Sequence, residues 1–284
     1  MDITLETAEL SLEWYAGSNG YDPDFLGPRV DLPALSEQQR EDLVPLIDGS
    51  GHELKYTHFS VVMSKSRQLA FFTAVNIDGN RLEALPRDRD AWYFDPRIER
   101  QHQMDPKVYK HPDLDRGHLV RRLDPVWGED AKEANEDTFH FTNCSPQHGM
   151  LNRRTWLRLE EYVLGNAKVH ELKVTVYTGP VFRADDKIYL DQFAIPAEFW
   201  KVVTLVKTDG ALSATAYLQS QRDLISNLEE FSFGEYKTYQ VPIGQIGELT
   251  GLDFGELAQH DPLLSNLESA PQALAIGGPG DIVL

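Results

Sequence analysis

The sequence predicts an α+β fold built on an antiparallel or mixed sheet, and three observations carry that expectation. HFSVVMS from His58 and QLAFFTAVNID from Gln68 are rich in β-branched and aromatic residues and flank the polar SKSR, so they read as a hairpin. FWKVVTLVKTDGALSATAYLQS, from Phe199, reads as a second hairpin turning at Thr208-Asp209-Gly210. ELKVTVYTGPVF, from Glu171, adds a strand that the Gly-Pro pair is expected to end. Strands thus outnumber helices, and successive hairpins disfavour a doubly wound parallel sheet.

Taken in order, residues 1–54 read as an acidic N-terminal extension with one short helix in LSEQQREDLVPLI, and they need not belong to the core. The core is expected over 55–262. Within it, residues 80–113 are rich in Arg, Asp and Pro with little periodicity and read as a long irregular surface segment. TFHFTN, Thr138 to Asn143, reads as a short strand. Ser145 then offers an N-cap and Pro146 a first helical position, with Leu151, Leu159, Tyr162 and Val163 supporting a helix to Gly165. Residues 263–284 carry a Gly-Gly-Pro-Gly run and are expected to form an irregular tail.

Composition narrows the class. A hydrophobic content of 41% over 284 residues is that of a globular chain with a sizeable core. No run approaches the length of a membrane span, and MDITLETAELSLEW has neither a basic nor an apolar leader region. The expectation is a protein without a membrane partner, cytoplasmic as written, with non-classical export left open. The single Cys144 excludes an internal disulfide; with no paired base evident, it reads as a small buried hydrophobe. The net charge of −18 is unevenly placed: residues 1–54 hold 12 acids against 2 bases, 208–284 hold 11 against 2, and the middle holds 22 against 23. Because a polyanion responds to the local field, this near-neutral middle can still bind one.

Three segments then stand out: DRGH at Asp115–His118, TNCSPQ at Thr142–Gln147 and NRRTWLRLEE at Asn152–Glu161. Hydrolysis of a phosphodiester needs a base for the attacking water, a cation against the developing charge, and donors that hold the phosphate in line. His118 can serve as the base, since a neutral imidazole near pH 7 accepts a proton readily. Gly117 allows close backbone approach, and the planar fork of Arg116 suits a phosphate. Each residue also has a plainer reading. His118 could be a satisfied core histidine, Asp115 an ion-pair partner of Arg116, Asn143 a strand-end turn residue, and Glu160 a solvated acid. Trp156 reads as a packing anchor. Arg121 and Arg122 could grip flanking phosphates or pair with Asp124, Glu129 and Asp130, and Arg153 and Arg154 stand in the same position.

Together these segments resemble the DNA/RNA non-specific endonuclease family, the ββα-metal nucleases that include endonuclease G. The resemblance covers roughly residues 56–220 and takes in YTGPVF at Tyr177–Phe182. It implies a ββα-metal fold, with a central, mostly antiparallel sheet flanked by helices and an endonuclease domain over 55–262. It further implies a magnesium-dependent enzyme, with manganese a substitute, that cleaves DNA, RNA or both with little sequence preference. Catalytic roles carry over to His118, Arg116, Asp115, Asn143 and Glu160, and to Arg81 across a variable loop. Direct metal ligation carries over to Asn152, where one neutral amide oxygen suffices for a largely hydrated magnesium. Glu160 lies about 80° round the same helix and is placed to reach a metal-bound water. Nucleic-acid contacts are expected from Arg121, Arg122 and Arg153. The family is often homodimeric, and a leaderless nuclease calls for an inhibitor or another regulatory partner. Two other readings remain: a catalytically silent binding module on the same fold, and a zinc hydrolase using His111, His118, His140 and His148, which lacks helical ligand spacing.

Overall fold

The strongest β runs of the sequence become one eight-stranded antiparallel sheet. The computed structural model describes residues 7–86, 91–149, 151, 156–222, 237–266 and 274–275. In chain order the elements are β1 (Thr7–Glu9), β2 (Ala34–Leu35), α1 (Glu37–Glu41), β3 (Glu53–Tyr56), β4 (Phe59–Met63), β5 (Ala70–Asp78), β6 (Trp92–Phe94) and β7 (Leu114–His118). There follow α2 (Ala131–Asp137), β8 (Cys144–His148), α3 (Trp156–Val169), β9 (Lys173–Val181), β10 (Lys187–Tyr189), β11 (Phe193–Ile195), β12 (Glu198–Val206) and β13 (Leu212–Ser220). The chain closes with β14 (Lys237–Val241), α4 (Ile243–Thr250), β15 (Leu252–Asp253) and β16 (Leu274–Ala275). The large sheet has the order β16-β14-β13-β12-β9-β5-β4-β3, and every neighbouring pair in it is antiparallel.

Both faces of this sheet are covered, which is why β5 is buried at every residue, the polar Thr73, Asn76 and Asp78 included. One face packs Val61, Val75, Val176, Phe199, Val203 and Tyr217 against Leu119, Val120, Leu151 and Ala167. The opposite face packs Val62, Phe72, Tyr177, Trp200 and Val202 against Ile243 and Ile246 of α4. No helix among the described residues is long and apolar enough to cross a membrane.

Several expectations are corrected. The strand begun at Glu171 does not end at Gly-Pro: β9 continues through Gly179 and Pro180, paired to Trp200 and Phe199. The register of β5 on β9 stops at Thr73–Thr178, so the missing N–H of Pro180 falls beyond that neighbour. TFHFTN is not a strand. It closes α2 and forms a 3₁₀ turn over Phe141–Asn143, and the strand is the next segment, β8. Ser145 and Pro146 therefore lie in β8 rather than at a helix start, and α3 is described from Trp156 past Gly165 to Val169. Pairing with DRGH outweighs the local capping signal.

Residues 80–113 are not purely a surface segment either: Trp92, Phe94, Asp95, Ile98, Met104 and Val108 are buried. The N-terminal residues, read as an extension that need not belong to the core, contribute to it. Tyr15 and Val44 join the first-face core, Tyr21, Val30 and Leu43 the second, and β2 pairs with β15. The short helix is present as α1, capped by Ser36 and Gln39 reciprocally. Of the tail, Leu274 and Ala275 add an edge strand to β14; the rest lies outside the described residues.

Candidate active site

DRGH is strand β7, paired antiparallel to β8 as a two-stranded ribbon: Asp115 faces Gln147, Arg116 faces Pro146, Gly117 faces Ser145 and His118 faces Cys144. Strand alternation puts Leu114, Arg116 and His118 on one side of the ribbon and Asp115 and Gly117 on the other. Gly117 is required by a neighbour. A Cβ there would lie 2.1 Å from Gln147 Oε1 and 2.2 Å from its Cδ, so the glutamine side chain lies across the glycine backbone.

Two aromatic rings fix the His118 side. Trp92 from β6 stands 5.0 Å from the imidazole, centroid to centroid, tilted by 52°. Phe139, just after α2, meets the same ring edge-on at 5.1 Å. The Arg116 guanidinium lies 5.0 Å from the Trp92 centroid, so one buried indole orients both residues. Sequence reading missed Trp92 and Phe139. The WYF triplet at 92–94 was the available signal, masked by the polar residues around it.

The backbone beyond His118 is clamped by Asn143. Its Oδ1 accepts a hydrogen bond from Val120 N at 2.9 Å, while its Nδ2 donates to Val120 O and to Thr138 O, both at 3.0 Å. The Asn143 carbonyl also accepts from Leu119 N at 2.9 Å. Asn143 is completely buried, and its amide donors and acceptor are engaged on main chain.

Two further arginines near the ribbon make contacts with neutral groups. Arg122 donates to Asn135 Oδ1 at 2.8 Å and to the Leu85 carbonyl, which ties the loop after DRGH to α2. Arg81 lies 5.2 Å from the Trp127 ring, itself stacked on His58, and a Cβ at Gly128 would meet its guanidinium at 2.5 Å. Arg121 is half-buried on the same loop as Arg122. Cys144 is buried against the Tyr109 hydroxyl at 3.3 Å, and burial pushes its thiol up to about 12. Asn152, Arg153 and Arg154 lie outside the described residues; Trp156 and Glu160 are on α3, but their side chains lie outside the described part.

The ribbon side that carries Asp115 is rich in oxygen. The Ser145 hydroxyl and both amide atoms of Gln147 are buried there and have no hydrogen-bonding partner in the protein. Buried polar atoms left in that state are costly, so water or a ligand is needed to satisfy them. The oxygens among them, Ser145 Oγ and Gln147 Oε1, together with the Asp115 carboxylate on the same side, are hard donors of the kind that suit a hydrated divalent cation.

A second buried network braces the site from the N-terminal segment. The Tyr15 hydroxyl bonds His140 Nε2 at 2.7 Å, and His140 Nδ1 meets the Asp137 carbonyl at 2.8 Å. Tyr56 donates to Asp95, which pairs with Arg97 at 2.7 Å, and that guanidinium lies 3.8 Å from the Tyr15 ring centroid. Burial raises the Asp95 carboxyl, but the bonds and charge of Arg97 outweigh it and hold it below the usual range. Burial also drives the His140 imidazole below its ordinary value, against the opposing charges of Asp95 and Asp137. Among the described residues no group of three or more His, Cys, Asp and Glu is arranged to hold a metal.

The chain has relatives among known proteins. Residues 40–261 match the family model for the DNA/RNA non-specific endonucleases. An uncharacterized protein, y4fB of Sinorhizobium fredii, is 39% identical over 264 residues, covering 86% of this chain and 40% of that protein. Mitochondrial endonuclease G of Homo sapiens is 30% identical over 190 residues, covering 62% of this chain and 58% of that one. The chain thus spans well under two thirds of these relatives. A solved EndoG/EndoGI complex superposes with a TM-score of 0.56 at 21% identity, covering 71% of this chain and 84% of that chain, and shares the fold.

Proposed function

The chain belongs to the DNA/RNA non-specific endonuclease family, and on that premise we propose that it is a magnesium-dependent endonuclease hydrolysing the phosphodiester bonds of DNA, RNA or both. The observation that carries the proposal is the DRGH ribbon, with His118 held between Trp92 and Phe139 and its following peptides clamped by Asn143.

His118 is the general base: its imidazole accepts the proton of the attacking water. A base of this kind contributes through position as much as through basicity. The two aromatic rings limit its orientation, and Asn143 fixes the backbone from which it projects, so Asn143 is a positioning residue. Arg116, steadied on Trp92, donates its planar fork to a non-bridging phosphate oxygen. Asn152 would hold the magnesium directly, with Asp115 and Glu160 meeting its water shell, and manganese would substitute. When bound, the ion neutralises charge that develops on the phosphate. Recognition through phosphates rather than base edges gives little sequence preference. Arg121 and Arg153 remain the candidates for flanking phosphates, whereas Arg122 and Arg81 act through packing.

A homodimer and an inhibitor belong to this reading as partners. The second is motivated by the fold's likeness to EndoG in a complex that explains EndoG inhibition. The competing reading, a silent binding module, is separated by one experiment. Plasmid, single-stranded DNA and RNA are incubated with the protein, with and without EDTA, alongside His118→Ala. Cleavage that EDTA abolishes, and a loss of roughly a hundred- to ten-thousand-fold in the variant with DNA binding retained, are expected. Near-full cleavage by His118→Ala would reject the base, and no cleavage by the parent under any divalent metal would favour the silent module.

A further inference from the structure

Lys201 is a charged residue type where the sheet should be apolar. It lies in the middle of β12, in Phe199-Trp200-Lys201-Val202-Val203, and alternation points it to the face shared by Phe199, Val203 and the DRGH ribbon. Its side chain is buried, with 2% of the residue exposed. Lysine in such a place is costly unless its amino group is well satisfied, so the position has to be accounted for.

Two of its hydrogen bonds supply the account. Nζ donates to Thr178 Oγ1 at 3.0 Å, the hydroxyl of its register partner on β9. It also donates to the carbonyl of Leu119 at 3.3 Å. Leu119 directly follows His118, so the lysine reaches from the sheet to the peptide beside the base. With the Asn143 contacts, four consecutive polar groups of the main chain are held: Leu119 N and O, then Val120 N and O. Asn143 ties this stretch to the neighbouring segment of the ribbon. Lys201 ties it to the eight-stranded sheet.

We propose that Lys201 is a positioning residue for His118. It registers the ribbon on the sheet, so that the height of the imidazole above the sheet is set by β12 and β9 rather than by the loop that follows DRGH. The proposal rests on His118 being the base. Reacting groups must be held within about 0.5 Å of the productive geometry, and a displacement of about 1 Å can cost on the order of a hundredfold in rate. Thr178 is the second member of the device: it orients the amino group from below.

Lys201→Met keeps most of the unbranched side chain and removes its donors. The expected result is a kcat on plasmid about 10- to 100-fold below the parent, with KM for plasmid and the magnesium midpoint unchanged. Thr178→Val should give a smaller loss of the same kind, and the double variant should be no worse than Lys201→Met, because the two residues act on one carbonyl. A folded Lys201→Met with parental kcat overturns the proposal, as does a double variant whose losses multiply. Should Lys201→Met fail to fold, Thr178→Val decides: parental kcat rejects the proposal, and a lowered kcat at constant KM supports it. His118→Ala run in parallel separates the two levels. If it is inactive while Lys201→Met is fully active, only the lysine's role falls; if it cleaves normally, both fall.

Discussion

Asn143→Asp tests the clamp with almost no change of shape. The bond from Val120 N to Oδ1 can persist, but the two N–H donors disappear, and Val120 O and Thr138 O then face a carboxylate oxygen across about the 3.0 Å that each hydrogen bond now spans. A buried acceptor that loses its donor costs about 1–3 kcal/mol, so the two carbonyls together cost roughly 2–6 kcal/mol. A typical domain is held folded by only about 5–15 kcal/mol, so the variant should be folded but clearly weakened. Protonating the new carboxyl restores one O–H donor, which raises its folded-state pKa above the unfolded value of about 3.9. By linkage the deficit is then smallest in acid and grows as pH rises through the raised pKa. Urea unfolding of parent and variant at mildly acid and mildly alkaline pH measures this directly. Plasmid cleavage within the native baseline measures the second consequence, a kcat at least about tenfold down with KM little changed. Stability within about 0.5 kcal/mol of the parent together with full kcat at the alkaline pH would refute the claim that this amide sets the position of His118.

Two further outcomes follow from the same geometry. Gly117→Ala places a Cβ 2.1 Å from Gln147 Oε1 and 2.6 Å from its Cγ inside a buried contact; an overpacking loss of about 1–3 kcal/mol is expected in thermal or urea unfolding, and Gln147→Ala in the same chain should recover most of it. His140 is fully buried and its pKa is lowered chiefly by burial, so its contribution to stability is complete above the unfolded value near about 6.5 and is lost as pH falls below it. Unfolding free energies from urea titrations should fall as pH drops across that window, by at most about 1.4 kcal/mol per pH unit from this residue, and His140→Gln should flatten the profile; an equally steep profile in the variant would count against the assignment.

How far the sequence carried depended on whether a signal was local. The hairpins β4–β5 and β12–β13 announce themselves by β-branched runs around SKSR and Thr208-Asp209-Gly210, and both stand where expected. Ser145-Pro146 carries an equally clear local signal, for a helix start, and it was overruled. The partner that turns it into strand is DRGH, 28 positions earlier in register at Gly117–Ser145, and no window around Ser145 contains that information. The site shows the same division. Arg116 and His118 were legible because they share one motif, whereas Trp92, Phe139 and Lys201 reach them from separate strands and turns. Residues 1–54 read as an extension that need not belong to the core because their acids dominate the count, yet two of the four aromatic residues among them, Tyr15 and Tyr21, sit in the two cores.

The arginine cluster of an acidic chain resolves in the same terms. Arg122 and Arg81 are oriented by neutral partners, Asn135 and Trp127, which leave their positive charge in place but direct their guanidinium groups away from free use as phosphate forks. In the acidic N-terminal segment Arg29 is likewise held by Asp24 and Asp31. Arg116 shares the Trp92 ring with His118, the proposed base, rather than belonging to a broad basic face. Broad basic faces give affinity, since each neutralised phosphate adds a counterion-release contribution. A cleavage site has a different requirement: one phosphate oriented toward one base, with the rest of the polymer free to leave. A net charge of −18 conflicts with the first and leaves the second intact, because orientation at a single phosphate is set over a few ångströms, well inside the screening length of about 8 Å at physiological salt.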